Sequence, residues 1–105
     1  MSTASYSYYE MAVIQWAEAR KIIPHSTPLA QWKKGMEEMN EIREALDAND
    51  NAALRDGVGD VVVCLINLCA LADIDLVDCL AGAYEEIKDR KGYMNAEGIF
   101  VKEVK

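Results

Sequence analysis

An apolar stretch headed by two acids, DGVGDVVVCLINLCAL from Asp56 to Leu71, limits most strongly how this chain can fold. Read as a helix, it returns Asp56, Asp60 and Asn67 to one narrow face, because steps of four and seven residues come back to nearly the same direction. Most of the remaining circumference is apolar, which predicts a central buried helix with one polar face turned toward a site. Val61–Val63 would suit a strand by propensity. The continuation through Cys64–Leu71 is too long for one strand and contains no turn residues, so the helix is the better reading. Gly57 and Gly59 weaken it locally and remove bulk beside the two acids.

Around this element the composition allows a single domain spanning 1–105. The chain has 105 residues, 51% hydrophobic and 28% charged, which suits a folded protein with a modest core. It has six glycines and two prolines, and both prolines lie in one short segment, leaving long helical territory on either side. A net charge of -7 disfavours a nucleic-acid partner, which calls for a basic patch. It does not exclude a phosphorylated ligand, since a divalent cation neutralises site acids and ligand together. The start of the chain lacks the pattern of a secretory signal, and Val61–Leu71 is too short to span a bilayer, which needs about 20 residues. Cys64, Cys69 and Cys79 are odd in number and lie in apolar helical contexts, so they read as buried, reduced thiols. The expectation is a cytoplasmic protein with no membrane partner.

Along the chain, Met1–Ser7 is predicted to fray. Tyr9, Ala12, Val13, Trp16 and Ala17 mark a first helix from Tyr8 to about Ile22, stopped by Pro24, with Pro24–Pro28 as a loop. Thr27 caps a second helix with Pro28 at its first position. That helix runs to about Leu46 and is expected to bury Leu29, Trp32, Met36, Met39 and Ile42 or Leu46. Gly35 inside it marks close approach by another helix or a ligand. Asp47–Asn51 is a turn, with Asp50 or Asn51 capping the central helix to about Ala72. Asp75 caps a last helix to about Lys91, with Leu76, Cys79, Leu80, Ala83 and Ile87 as its buried stripe and Gly92 as its C-cap. Residues 93–105 read as an appended hairpin, turning at Asn95–Gly98, or as a flexible arm. The fold class is therefore all-α, an antiparallel bundle of about four helices. Helices one, three and four carry more apolar surface than one small bundle covers, which predicts a homodimer or homotetramer.

Two acidic blocks carry the chemistry. Glu37, Glu38 and Glu41 lie within one turn of each other on the second helix, and Asp56 and Asp60 project from the start of the central one. Carboxylates converging from two antiparallel helices suit Mg²⁺, with Mn²⁺ as an alternative. The plain alternative is a solvated acidic face, since Glu pairs at this spacing are common on surface helices. Asn67 in its apolar run is equally explained by an interhelical hydrogen bond.

The stretch QWKKGMEEMNEIREAL, followed by DGVGDVVVCLINLCALADIDL, resembles the MazG-like all-α nucleotide pyrophosphohydrolases, over roughly Val13–Gly92. The sequence YEEIKDRKG is similar to the basic end of the family's last helix, and the tail resembles small phage-type members. The resemblance implies Mg²⁺-dependent cleavage of a nucleoside triphosphate, a deoxynucleotide or noncanonical one, to monophosphate and pyrophosphate. It implies Glu38, Glu41 and Asp60 as metal ligands and Glu37 or Glu38 as the group that activates water. One position departs from the pattern: Gly57 stands where the family has an acid, and Asp56 is the substitute ligand. Lys34, Lys88, Arg90 and Lys91 are candidate phosphate contacts, each also explained as a solvated cation or a basic helix end. Gln31 is a candidate for a base edge and Trp16 or Trp32 for a stacking wall, against a plain core role for both tryptophans. Asn67 is a candidate sugar contact; His25, in the loop, reads as solvated. A noncatalytic nucleotide-binding or structural helical assembly module is the competing reading.

Overall fold

The computed structural model describes residues 4–103. Its elements in chain order are α1 (Tyr6–Ala19), α2 (Ile22–His25), α3 (Pro28–Asp47), α4 (Asn51–Leu71), α5 (Leu76–Ile87), β1 (Gly92–Met94) and β2 (Phe100–Lys102). The architecture is an all-α bundle of five helices, with a two-stranded hairpin after the last. No helix among the described residues is long and apolar enough to cross a membrane.

Short polar side chains start the helices by accepting N–H groups that have no partner in the first turn. Thr27 Oγ1 accepts from Ala30 N at 3.0 Å, with Pro28 in the first helical position. Asp50 Oδ1 accepts from Ala53 N at 3.0 Å, and Asp75 Oδ1 accepts from Val77 N at 2.8 Å. The stops are equally local. Asn49 and Asp73 adopt left-handed φ values of 52° and 58°. The next residue then bonds back across the last turn: Asp50 N to Ala45 O at 2.9 Å, and Ile74 N to Cys69 O at 3.0 Å. These closures satisfy terminal carbonyls and reverse the chain within a few residues. Asp50 thus ends α3 and caps α4, which makes the two an antiparallel pair.

Contact between α3 and α4 is the most extensive in the molecule, and α4 also touches α1, α2 and α5. The residues that α3 withdraws from solvent are Gln31, Gly35, Glu38, Ile42 and Ala45; those of α4 on the facing side include Leu54, Gly57, Val61, Cys64 and Leu68. Both series alternate steps of three and four, the spacing of a seam between two helices. Two close approaches fix the register. A Cβ built on Gly35 would lie 3.6 Å from Cys64 Cβ, and one on Gly57 would lie 2.8 Å from Ile42 Cγ1. Antiparallel counting between these anchors sets Glu38 opposite Val61. On the other side of α4, Ile66 and Cys69 are buried beside Ile14 of α1, whose own buried residue is Ala17.

Several sequence expectations are corrected here. Ser5 Oγ accepts from Tyr8 N at 3.3 Å, so Tyr6 and Ser7 belong to α1 rather than to a frayed end; residues 1–3 lie outside the described set. The first helix stops at Ala19 rather than Ile22, because Lys21 turns left-handed with φ 64°. The helical turn α2 then forms around Pro24, where a loop was expected. Pro24 is tolerated because the first turn of a helix needs no N–H from it. The last helix ends at Ile87, before Lys88, Arg90 and Lys91 rather than after them. Gly92 is not a helix cap: it pairs with Lys102 in the hairpin, and a side chain there would run into the Val101 carbonyl and the Phe100 ring. Asn95 Oδ1 accepts from Glu97 N and Ile99 N, both at 2.9 Å, and closes that hairpin.

The buried stripes also differ. Leu29, Trp32, Met36, Met39 and Leu46 are exposed, because the seam runs one position over, through Gly35, Glu38, Ile42 and Ala45. On α5, Cys79, Leu80, Ala83 and Ile87 are exposed and Leu76 is half-buried; Leu80 retains 69% of its accessible surface. Tyr9 and Trp16 of α1 are exposed as well, the Trp16 ring lying 4.7 Å beneath the Arg20 guanidinium.

The two central glycines should respond oppositely to the same change. Gly57→Ala forces Ile42 aside and should cost about 1–3 kcal/mol, outweighing the helix-propensity gain. Gly59, with nothing within 4 Å of its built Cβ, should gain up to about 1 kcal/mol from the same substitution. Chemical denaturation of both variants tests this; equal effects would contradict the register.

Candidate functional site

The α3–α4 hairpin opens on one side into an acidic cavity of about 390 Å³. Glu38, Glu41 and Glu44 line it from α3, Asp56 and Asp60 from α4, and Asp50 from the turn between them. Successive steps of three keep Glu38, Glu41 and Glu44 on adjoining parts of the α3 surface, and the four-residue step does the same for Asp56 and Asp60.

Glu38 is the hub. It is only 8% exposed, a carboxylate in the helix seam. The Glu41 carboxyl is held above the usual carboxylate range, first by its hydrogen bond to Glu38 and then by the negative charge there. Asp60 is also pushed up, by partial burial first and then by the charges of Glu38 and Asp56. Crowding beside Glu38 thus disfavours the charged form of both neighbours. Lys34 supplies one positive charge, with Nζ 3.4 Å from Glu38 Oε1 and 3.9 Å from Glu37 Oε1. The charge of Glu37 is the largest cause raising the Lys34 pKa, followed by the hydrogen bond to Glu38.

Among the described residues, no group of three His, Cys, Asp or Glu side chains has the arrangement of a metal cage. The donor chemistry nevertheless fits a hard divalent cation. All the lining polar side chains are carboxylates, and a cation would offset the negative charge that raises Glu41 and Asp60.

The structure sorts the other sequence candidates. Glu37 is exposed and turned to Lys34; it does not line the cavity. Gln31 is half-buried and donates from Nε2 to Ser26 Oγ at 3.0 Å. It borders an apolar groove of about 230 Å³ with Trp32, Gly35, Met36, Met39 and Leu65. Asn67 is 2% exposed, with its Oδ1 lacking a hydrogen-bond partner, and is not part of the acidic wall. Trp16, on α1, also lies outside that wall. Lys88 pairs with Glu85 at 2.7 Å, and Arg90 and Lys91 line a separate cavity with Lys102. These cations are not brought to the acids within one chain. His25 is exposed. Glu44 and Asp50 are acids of the cavity that the sequence reading passed over. Glu44 extends the Glu38, Glu41 spacing by one more step, and that was its available signal. Asp50 had been read only as a cap.

Gly57 has a packing reason. With Ile42 only 2.8 Å from where its Cβ would be, an acid at this position is incompatible with the present approach of α3 to α4. Asp56, one residue earlier, puts a carboxylate into the same cavity.

Residues 26–94 match the MazG nucleotide pyrophosphohydrolase domain. The chain is similar to an uncharacterized 18.2 kDa protein in the rep-hol intergenic region of Haemophilus phage HP1 (strain HP1c1), with 36% identity over 63 residues. That similarity covers 60% of this chain and 39% of the phage protein's length. No solved structure matches. The match over 26–94 takes in both acidic blocks and the helical pair that holds them, and the chain belongs to the MazG nucleotide pyrophosphohydrolase domain family, a family of hydrolases.

Proposed function

We propose that the chain hydrolyses a nucleoside triphosphate, a deoxynucleotide or noncanonical one, to the nucleoside monophosphate and pyrophosphate at the acidic cavity between α3 and α4. The observation that supports this most is the convergence of Glu38, Glu41, Asp56 and Asp60 on one cavity, a concentration of carboxylates that Lys34 alone does not balance. Glu38, Glu41 and Asp60 would hold Mg²⁺, or Mn²⁺, with Asp56 taking the place of the acid that Gly57 lacks. A bound divalent cation there would polarise the phosphate chain and screen its charge from the acids.

The side chains have separate tasks. Glu38, buried and paired with Lys34, would accept a proton from water attacking the phosphate; Glu37 would act through Lys34, keeping that cation beside Glu38. Lys34 would meet the anionic substrate at the cavity edge. Gln31 and Trp32 border the apolar groove and offer a base an edge and a face. Asn67 would hydrogen-bond the sugar or orient a neighbouring site group. Trp16, Lys88, Arg90 and Lys91 lie on other surfaces, so a substrate role for them requires a second chain.

A second chain is itself part of the proposal. Trp32, Met36 and Met39 on α3 and Val58, Val62 and Leu65 on α4 are exposed and line one side of the same helical pair. Another copy covering this stripe and α5 would give a homodimer or homotetramer with a conventional core. The noncatalytic alternative draws on Gly57: fewer ligands would leave nucleotide binding without turnover.

Four outcomes follow. With Mg²⁺ and a nucleotide panel, product analysis should give monophosphate and pyrophosphate in equal amounts; stepwise orthophosphate release would exclude this reaction. E38Q and D60N should each lower kcat by roughly 10²-fold or more, and binding without turnover in the unaltered protein would favour the alternative. Because Glu41 and Asp60 titrate above their usual values when folded, they bind protons that the unfolded chain has released. Their contribution without metal is therefore lost as pH rises through the raised values. Mg²⁺ competes with those protons, so its stabilising effect should grow as pH rises through the raised values. At ten times its dissociation constant it should add about 1.4 kcal/mol, roughly 6–11 °C in Tm, above that window. A pH-independent shift, or the same shift in D60N, would count against the ligand set. Light scattering should show an oligomer, and a stable monomer at micromolar concentration would remove the assembly.

A further inference from the structure

Two faces of this chain repeat apolar residues at helical spacing with nothing over them. On α5, Val77, Leu80, Tyr84 and Ile87 succeed one another by steps of three and four, and all are exposed. On the α3–α4 pair, Met36 and Met39 stand beside Val58, Val62 and Leu65, also exposed. The chain does not bring these two faces together. Asp73 reverses it with φ 58°, Ile74 N donates to Cys69 O at 3.0 Å, and Asp75 caps α5. From that turn α5 approaches α4 only slightly and α3 not at all. The hairpin beyond it approaches none of the helices among the described residues, and it exposes Tyr93, Met94, Ile99 and Phe100. A lone two-stranded hairpin is marginal in water.

The arm formed by α5 and the hairpin makes the chain too open for its size. The radius of gyration is 16.4 Å, against about 13 Å for a compact chain of this length. The accessible surface is 8303 Å², against about 5,900 Å² for a compact monomer of 11.7 kDa, an excess of about 2,400 Å². Each chain of an obligate homodimer buries roughly 1,000–2,500 Å², so the excess is what one such interface removes. Charge favours the arm as the covering element. Residues 88–105 hold five of the eleven basic side chains and three of the eighteen acids, which leaves the rest of the chain strongly acidic. Two acidic bodies laid directly together repel, whereas an arm with a basic end brings the opposite sign to its partner.

We propose that two copies of this chain exchange arms, the α5 of each lying across the Met36, Met39, Val58, Val62 and Leu65 face of the other. This names the contact within the assembly proposed above and rests on that reading. An amphipathic helix with apolar residues three and four apart fits the groove between two packed helices. Arm and groove belong to the same chain, so the exchange is reciprocal and closes on a two-fold axis. Gln31 and Trp32 lie a turn or more before Met36 and stay outside the contact.

Light scattering and sedimentation of the full chain, without nucleotide or Mg²⁺, test this. The unaltered protein should run at twice the chain mass, or four times where two such dimers join. L80K and M36E should each raise the dissociation constant by roughly 100-fold or more, since two-fold symmetry repeats each buried charge. Both positions are exposed in the single chain, so circular dichroism should show unchanged helix content. An equimolar mixture of the two variants should associate again. One exchanged contact is then unaltered, and the other sets Lys against Glu. With p-benzoylphenylalanine in place of Leu80, irradiation should cross-link that position to the second copy's peptide carrying Met36 and Met39. Association weakened by M36E but indifferent to L80K puts like faces together; it overturns the exchange and leaves the assembly standing. A mixture that stays monomeric, or a cross-link from one α5 to the other, overturns the exchange as well. An unaltered chain that is monomeric at micromolar concentration removes both. Nucleotide turnover enters none of these measurements, so a failure of the proposed reaction is read separately.

Discussion

The close antiparallel contact of α3 with α4 is the constraint from which the rest of the structure follows. It is set by small residues at two places, Gly35 against Cys64 and Gly57 against Ile42. Between those anchors the seam holds a carboxylate, Glu38, where a helical pair of this kind would ordinarily hold an aliphatic side chain. A buried acid is tolerated only with compensation. Here Lys34 reaches it from the previous turn, and the charge of Glu38 raises the Glu41 and Asp60 carboxyls. The packing that stabilises the pair therefore also concentrates the charge that makes it a site.

That coupling accounts for the departure at Gly57. At this point in the seam, a side chain on α4 and Ile42 on α3 compete for one volume, and the present chain gives it to Ile42. The carboxylate count of the cavity is kept up by residues on its rim, Asp56, Glu44 and Asp50, which need no space inside the seam.

The same arrangement leaves much apolar surface uncovered. On its α3 side the seam has Ile42 as its one large aliphatic residue among Gly35, Glu38 and Ala45, and the other large apolar residues of α3 stand beside it rather than in it. Together with the outer face of α5 they form a surface that a lone chain leaves in water at an energetic cost.

Local chemistry was legible in the sequence because its causes lie within a few residues. Thr27, Asp50 and Asp75 cap helices through their own side chains, and the length and apolar run of the central helix required no knowledge of its partners. The two acidic blocks and their family were readable for the same reason, since spacing along a helix fixes which acids share a face. Tertiary packing decided which face was buried. A shift of one residue around α3 separates Met36 from Gly35, and apolarity favoured the methionines where close backbone approach selected the glycine. The burial of Glu38 beside an exposed Glu37, the addition of Glu44 and Asp50 to the cavity, and the exposure of Cys79 all follow from where α3 and α5 meet α4. Such contacts bring together residues far apart in the chain, and no local pattern specifies them.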